Sequence, residues 1–167
     1  KELVKILRTR ETQKNNRKNI FKVSLVGYTN AGKSTIMQKI SNKNMYIKDE
    51  LFATLDTNTK KISIDKSNHF LLSDTVGFIR NLPDNLIASF RSTLSEIIDS
   101  DLLLKIIDIS SPEYLNHLMS IDNVLEHLSI SEKKYLIIFN KIDLIDNKNL
   151  IKTIQKRYPD SVFVSGL

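Results

Sequence analysis

The sequence predicts an α/β domain built on a mainly parallel, six-stranded sheet, with helices on both faces and one antiparallel edge strand. Three observations carry that expectation. Largely apolar runs of strand length, such as residues 102–109 and 135–140, suit strands buried on both faces. Segments with apolar residues at helical spacing separate these runs, which implies right-handed crossovers between parallel strands. A single stretch, residues 61–65, alternates apolar and polar with period two, as an edge strand does.

In order along the chain, residues 21–26 form the first expected strand and enter a glycine turn, after which 33–40 are helical. Residues 41–58 are polar and irregular, 61–65 are the edge strand, and 70–73 return to the apolar strand pattern. A helix is expected over 84–98, where Leu86, Ile87, Phe90, Leu94, Ile97 and Ile98 share a face and Pro83 stands near the start. After the strand at 102–109, Ser111 as N-cap and Pro112 in the first turn predict a helix over 112–128. Its inward face carries Leu115, Leu118, Ile121, Leu125 and Leu128. A strand at 135–140, a short helix at 148–157 and a strand at 161–164 complete the set.

The 167 residues are 41% hydrophobic and 26% charged, which is too apolar for a disordered chain and enough for one core. The absence of cysteine excludes disulfide scaffolds, thiolate zinc sites and cysteine nucleophiles, and it fits a reducing cytoplasm. No uncharged apolar stretch approaches the ~18–20 residues of a transmembrane helix, so no membrane partner is expected; a monomer is also expected. The net charge of +6 is concentrated: the first 22 residues carry eight basic residues against Glu2 and Glu11, and the remainder is neutral. Residues 1–19 therefore read as a basic arm, with residues 20–167 forming the domain proper. The arm suits a linker or helix tail from a preceding domain, or a contact to nucleic-acid phosphates. The sequence looks like a domain cut from a longer chain.

Glycine locates the chemistry. Only four glycines occur. Gly27-Tyr28-Thr29-Asn30-Ala31-Gly32-Lys33-Ser34 satisfies G-x-x-x-x-G-K-[ST] between an expected strand and an expected helix, the context that a phosphate loop requires. Its backbone N–H groups would wrap phosphates at a helix N-terminus, with Lys33 reaching the β- and γ-phosphates and Ser34 ligating Mg²⁺. Asp74-Thr75-Val76-Gly77 ends the next apolar strand, where Asp74 would hold Mg²⁺ through water and the Gly77 N–H would sense the γ-phosphate. Asn140-Lys141-Ile142-Asp143 ends another strand. The Asp143 carboxylate can accept from both N1–H and the 2-amino group of guanine, a donor pair that adenine lacks. Asn140 would tie the loops together, and the Lys141 stem would cover the base. Ser165-Gly166, with Leu167 beyond, would place a backbone N–H near the guanine O6. All four glycines fall in these loops, where backbone must approach a ligand. Together the motifs imply a Ras-like P-loop domain that binds GTP or GDP. A hydroxyl from the segment before the edge strand should complete the Mg²⁺ shell, with Thr54, Thr57 and Thr59 all open as candidates.

The strings Val26-Gly-Tyr-Thr-Asn-Ala-Gly-Lys-Ser-Thr35, Leu51-Phe-Ala-Thr-Leu-Asp56 and Ser73-Asp-Thr-Val-Gly-Phe-Ile-Arg80, with Leu82-Pro83 following, resemble the HflX family of ribosome-associated GTPases. That resemblance covers about residues 20–167. It implies that Phe52, Ala53, Thr54, Leu55 and Asp56 line the nucleotide, with Thr54 as the Mg²⁺-linked threonine. Lys33, Thr54 and Gly77 then become the candidate catalytic groups. It also implies the large (50S) ribosomal subunit as partner, and ribosome splitting or rescue under stress. Two departures stand out: Thr57-Asn58-Thr59-Lys60 replaces the usual P-T-T-R, and Ser165-Gly166 replaces S-A.

Phe78 occupies a position where many GTPases carry a water-orienting glutamine, and its ring cannot hydrogen-bond water. Slow turnover alone is expected, with the missing group coming from a partner, the substrate phosphate or a monovalent cation. Asn30 resembles the residue that helps hold potassium in potassium-activated GTPases. The competing readings are a binding switch with negligible hydrolysis, or a GTPase of tRNA modification or ribosome assembly. His69, His117 and His127 lack metal-ligand spacing and read as packing residues. Asp108 reads as a loop or cap residue, and Tyr28 as either flanking the nucleotide or exposed.

Overall fold

The apolar runs become strands β1 (Phe21–Gly27), β2 (Asn58–Ser63), β3 (His69–Asp74), β4 (Leu102–Asp108), β5 (Tyr135–Asn140) and β6 (Val162–Phe163). Helices α1 (Lys33–Ser41), α2 (Arg91–Ile98), α3 (Tyr114–His127) and α4 (Lys148–Arg157) lie between them. The structure, a computed structural model, describes residues 20–41, 58–65, 68–75, 77 and 91–166. The expected arm at 1–19 and the first part of the helix predicted over 84–98 lie outside the described residues.

The six strands form one sheet in the order β2-β3-β1-β4-β5-β6. Only β2 runs antiparallel to its neighbour; the other pairings are parallel. Alternation along β4 divides the core. Leu103 and Ile107 face α2, α3 and α4, joining Leu94, Ile97, Leu118, Ile121, Leu125 and Ile154. Leu104 and Ile106 face the other side, with Ile36 and Met37 of α1 and Leu25, Ile62 and Leu72 of the strands. Helices thus cover both faces, as the sequence predicts.

Lys105 interrupts the apolar run of β4 and is buried, with 4% of its surface exposed. Its ammonium lies 2.6 Å from an Asp122 carboxylate oxygen on α3 and 3.6 Å from the centre of the Tyr135 ring. A buried cation needs such partners.

Most elements shift by a single residue at an end, and three differences say more. β2 starts at Asn58 instead of 61, because its ladder with β3 runs from Asn58 opposite Asp74 to Ser63 opposite His69. Asp65 falls in the following turn, where its carboxylate accepts from the Asn68 N–H and side-chain amide, both at 2.7 Å. The helix predicted from 112 begins at Tyr114. Ser111 accepts the Glu113 N–H on its hydroxyl and the Tyr114 N–H on its carbonyl, which makes a lead-in turn. Thirdly, β6 holds only two residues, fewer than the apolar run suggests.

Candidate functional site

The C-terminal ends of β1, β3, β4 and β5 converge at one edge of the sheet and bring Gly27, Asp74, Asp108 and Asn140 together there. That edge is where parallel α/β sheets bind ligands. The glycine turn after β1 leads into α1, and a helix N-terminus presents backbone N–H groups suited to an anion. Lys33, the first residue of α1, is buried and folded back over the turn, with Nζ 3.2 Å from the Gly27 carbonyl and 3.1 Å from that of Tyr28. Burial lowers its pKa to about 8, and the neighbouring Asp74 carboxylate opposes that shift. Ser34 donates its hydroxyl to Asp74 Oδ2 at 2.5 Å, so the two candidate Mg²⁺ groups are already adjacent. Thr75 donates to the buried Leu25 carbonyl at 2.6 Å and ties the segment after β3 to β1. Gly77 lies directly on the phosphate loop. A Cβ there would fall 2.9 Å from Thr29 Cα and 3.1 Å from Lys33 Nζ.

Asn140 is the junction of the site. Its amide donates to the Ala31 carbonyl at 2.9 Å, and its Oδ1 accepts the Gly166 N–H at 2.9 Å. One side chain, 1% exposed, therefore holds the phosphate loop, the end of β5 and the last loop together. Gly32 must be glycine for two reasons. Its φ is +90°, and a Cβ would meet the Asn140 amide nitrogen. Lys141 takes the left-handed conformation, with φ 65° and ψ 37°, and Nζ lies 2.8 Å from Asp108 Oδ2. The other Asp108 oxygen accepts from the Ser110 N–H and hydroxyl. A short 3₁₀ turn, Ile142–Leu144, then presents Asp143 exposed. Asn30, also left-handed at φ 61°, is exposed at the rim of the phosphate loop.

The structure thus brings together Gly27 through Ser34, Asp74, Thr75, Gly77, Asn140 through Asp143, Ser165 and Gly166. Phe52 through Thr57, Val76, Phe78 and Leu167 lie outside the described residues, so Thr54 and Thr57 are among them. Thr59, one of three threonines open on sequence grounds, sits in β2 with its hydroxyl 2.9 Å from that of Ser73.

Two contributors escape the sequence reading. Asp108 does cap a turn, but it also holds Lys141; its position at a parallel strand's C-terminal end was the available signal. His117 of α3 stacks on Tyr28 of the phosphate loop, with ring centres 4.1 Å apart and planes within 12°. No local pattern marks that pair. Among the described residues, no cluster of three or more His, Cys, Asp or Glu could hold a metal, and no helix is long and apolar enough to cross a membrane.

A phosphate loop, an adjacent hydroxyl–carboxylate pair and an N-K-x-D turn joined by one asparagine define a guanine-nucleotide-binding domain. The sequence profile of the 50S ribosome-binding GTPases matches residues 22–141, and the chain belongs to that family. Its relatives bear out the HflX resemblance. The HflX GTPase of Flavobacterium psychrophilum is 45% identical over 144 residues, covering 86% of this chain and 35% of that protein. The HflX GTPase of Magnetococcus marinus is 40% identical over 154 residues, covering 91% and 36%. The chain therefore spans about a third of these relatives' length. Among solved structures, the SsGBP–GDP complex aligns with a TM-score of 0.70 at 29% identity, over 99% of this chain and 52% of that one. A variant of Aquifex aeolicus Era bound to GDP·AlF₄⁻ aligns at 0.71 with 22% identity, over 89% and 52%, and shares the fold.

Proposed function

We propose that this chain binds GTP and hydrolyses it to GDP and phosphate, as the GTPase domain of an HflX-type protein that acts on the large ribosomal subunit. For the whole protein the HflX resemblance implies splitting or rescue of stalled ribosomes under stress. The observation that carries the reading is the Asn140 junction, which fixes a phosphate loop and a guanine-reading turn at one separation. In hydrolysis a water oxygen bonds to the γ-phosphorus and the bond to the β–γ bridging oxygen breaks. Lys33 releases the Gly27 and Tyr28 carbonyls and carries its positive charge to the β- and γ-phosphates. The Gly77 N–H donates to a γ-phosphate oxygen, and Asp143 accepts the two guanine donors.

Mg²⁺ fits the donor set. Ser34 and Asp74 offer hard oxygens 2.5 Å apart, matching one direct ligand and one acting through water. When bound, the ion neutralises charge on the β- and γ-phosphates. By the HflX resemblance Thr54 adds the remaining hydroxyl. Phe78 offers no hydrogen bond to water, so turnover is slow until the ribosome or a cation at Asn30 supplies the missing stabilisation.

The test is GTP hydrolysis by this chain and by the full-length protein, with and without purified large subunits, in potassium and in sodium. A large stimulation of the full-length protein by subunits supports the reading. Hydrolysis that ignores subunits removes the ribosomal role, and equal rates in the two salts remove the potassium role. Asp143→Asn should shift preference from guanine to xanthine nucleotides; retained GTP preference would remove its assigned role.

A further inference from the structure

The face of the sheet beneath α2 carries a row of hydroxyls on β2, β3 and β1, where β4 and β5 carry Leu103, Ile107, Ile137 and Phe139 on the same face. Thr59 on β2, Ser73 on β3 and Ser24 on β1 occupy paired register positions, so they form one row across three strands. Ser24 and Ser73 are buried. α2 seats on this row between its buried Leu94 and Ile97. Ser24 donates to the Glu96 carbonyl at 3.1 Å, and Ser73 donates to the Glu96 carboxylate at 3.1 Å. Thr59 and Ser73 hydroxyls are 2.9 Å apart. Proton counting orients the chain. Ser73 has one hydroxyl hydrogen and gives it to a carboxylate, so Thr59 must donate to Ser73. The result is a polarised line, Thr59 to Ser73 to Glu96, in which each bond strengthens the next.

Stability does not account for this arrangement. Well-packed apolar residues of similar volume would hold a helix on a sheet as well or better. Hydrogen bonds differ in that they fix register: rotating or sliding α2 breaks both of its bonds to the row, whereas an apolar contact tolerates the shift. The location matters as much. Ser73 immediately precedes Asp74, which holds Ser34. β2 follows the Phe52–Asp56 segment, and α2 follows the Asp74–Gly77 segment.

We propose that Ser73 and Glu96 are positioning residues that lock β2, β3 and α2 into one register, so that displacement of Asp74 on loss of the γ-phosphate moves β2 and α2 together. The proposal rests on the GTPase reading above and adds to it a mechanical link between the two nucleotide-flanking segments.

The experiment uses the full-length protein with Ser73→Ala, Glu96→Leu, Glu96→Gln and the near-isosteric Thr59→Val. It measures GDP affinity, single-turnover GTP hydrolysis, and amide hydrogen exchange of β2 and α2 with GDP and with a non-hydrolysable GTP analogue. In the wild type, exchange in both elements should change with the nucleotide. Ser73→Ala and Glu96→Leu should slow hydrolysis at least about tenfold with GDP affinity within about threefold, since they remove positioning and not nucleotide contacts. In both variants, β2 and α2 should no longer respond together. Thr59→Val should loosen β2 alone. Glu96→Gln retains an oxygen that accepts from Ser73 and should restore the rate to within about threefold.

The proposal is overturned if Ser73→Ala lowers only the melting temperature, with rate and exchange like wild type, or if Glu96→Gln is as impaired as Glu96→Leu. If the wild type binds GTP without hydrolysing it, the hydrolysis reading fails and the exchange comparison still decides the link. If it binds no nucleotide, Ser73→Ala must speed exchange in β2 and α2 equally; acceleration in one alone refutes the link.

Discussion

Replacing Asn140 with alanine removes one side chain and disconnects three loops. Its two hydrogen bonds, each 2.9 Å, join the Ala31 carbonyl and the Gly166 N–H, and all three residues are buried. Each bond contributes about 1 kcal/mol net, and each abandoned buried partner costs about 1–3 kcal/mol where water cannot reach it. The expected loss is about 2–5 kcal/mol, or a fall of roughly 4–20 °C in melting temperature for a domain of this size. Guanine nucleotide affinity should fall by more than about tenfold, because the phosphate and base loops lose their fixed separation. Chemical denaturation of the nucleotide-free protein and a fluorescent-GDP titration measure the two effects. Asn140→Asp is the internal control: it can still accept the Gly166 N–H but turns a carboxylate oxygen toward the Ala31 carbonyl, so it should also destabilise. A loss below about 1 kcal/mol in Asn140→Ala, or wild-type behaviour in Asn140→Asp, would refute the junction argument.

Other perturbations report on neighbouring parts of the site. Lys33 has its pKa lowered to about 8 by burial, against 10.5 when unperturbed, so between those values the unfolded chain holds a proton that the folded domain has released. Stability from this group is therefore absent below pH 8 and rises by about 3 kcal/mol as pH climbs to 10.5. Denaturation of nucleotide-free wild type and Lys33→Met should show any stability advantage of the variant at pH 7.5 shrinking toward pH 10; a pH-independent difference would refute it. Gly32→Ala puts a methyl group onto the Asn140 amide at a φ of +90° and should abolish detectable nucleotide binding in the same titration. Asp108→Ala frees Lys141 from a partly exposed ion pair worth about 1 kcal/mol and should weaken GDP binding about fivefold; unchanged affinity would show that Lys141 needs no anchor.

The parallel strands are legible because their apolar runs are buried on both faces, and the four glycines mark the loops. Element ends were less legible. Asn58, Thr59 and Lys60 look like loop residues, and only the ladder with β3 makes them strand. Ser111 reads as a cap whether the helix begins next to it or, as here, after a further turn. The Tyr28–His117 stack and the Thr59–Ser73–Glu96 line were invisible for a different reason: both join residues far apart in the chain through side chains that are unremarkable in their own segments. Lys105 sits inside an apolar strand where a sequence pattern has no account of it, and only Asp122 and the Tyr135 ring explain its burial.

The path of the chain through the sheet also orders events during synthesis. The phosphate loop is among the first parts of the domain to leave the ribosome, yet Gly166, which completes the Asn140 junction, is among the last. A domain generally folds as a unit. A chain made only as far as β4 therefore holds the phosphate-loop residues without Asn140, the side chain that anchors the Ala31 carbonyl. Nucleotide capture should therefore follow closure of the sheet edge by β6, since the Gly166 N–H completes the Asn140 junction.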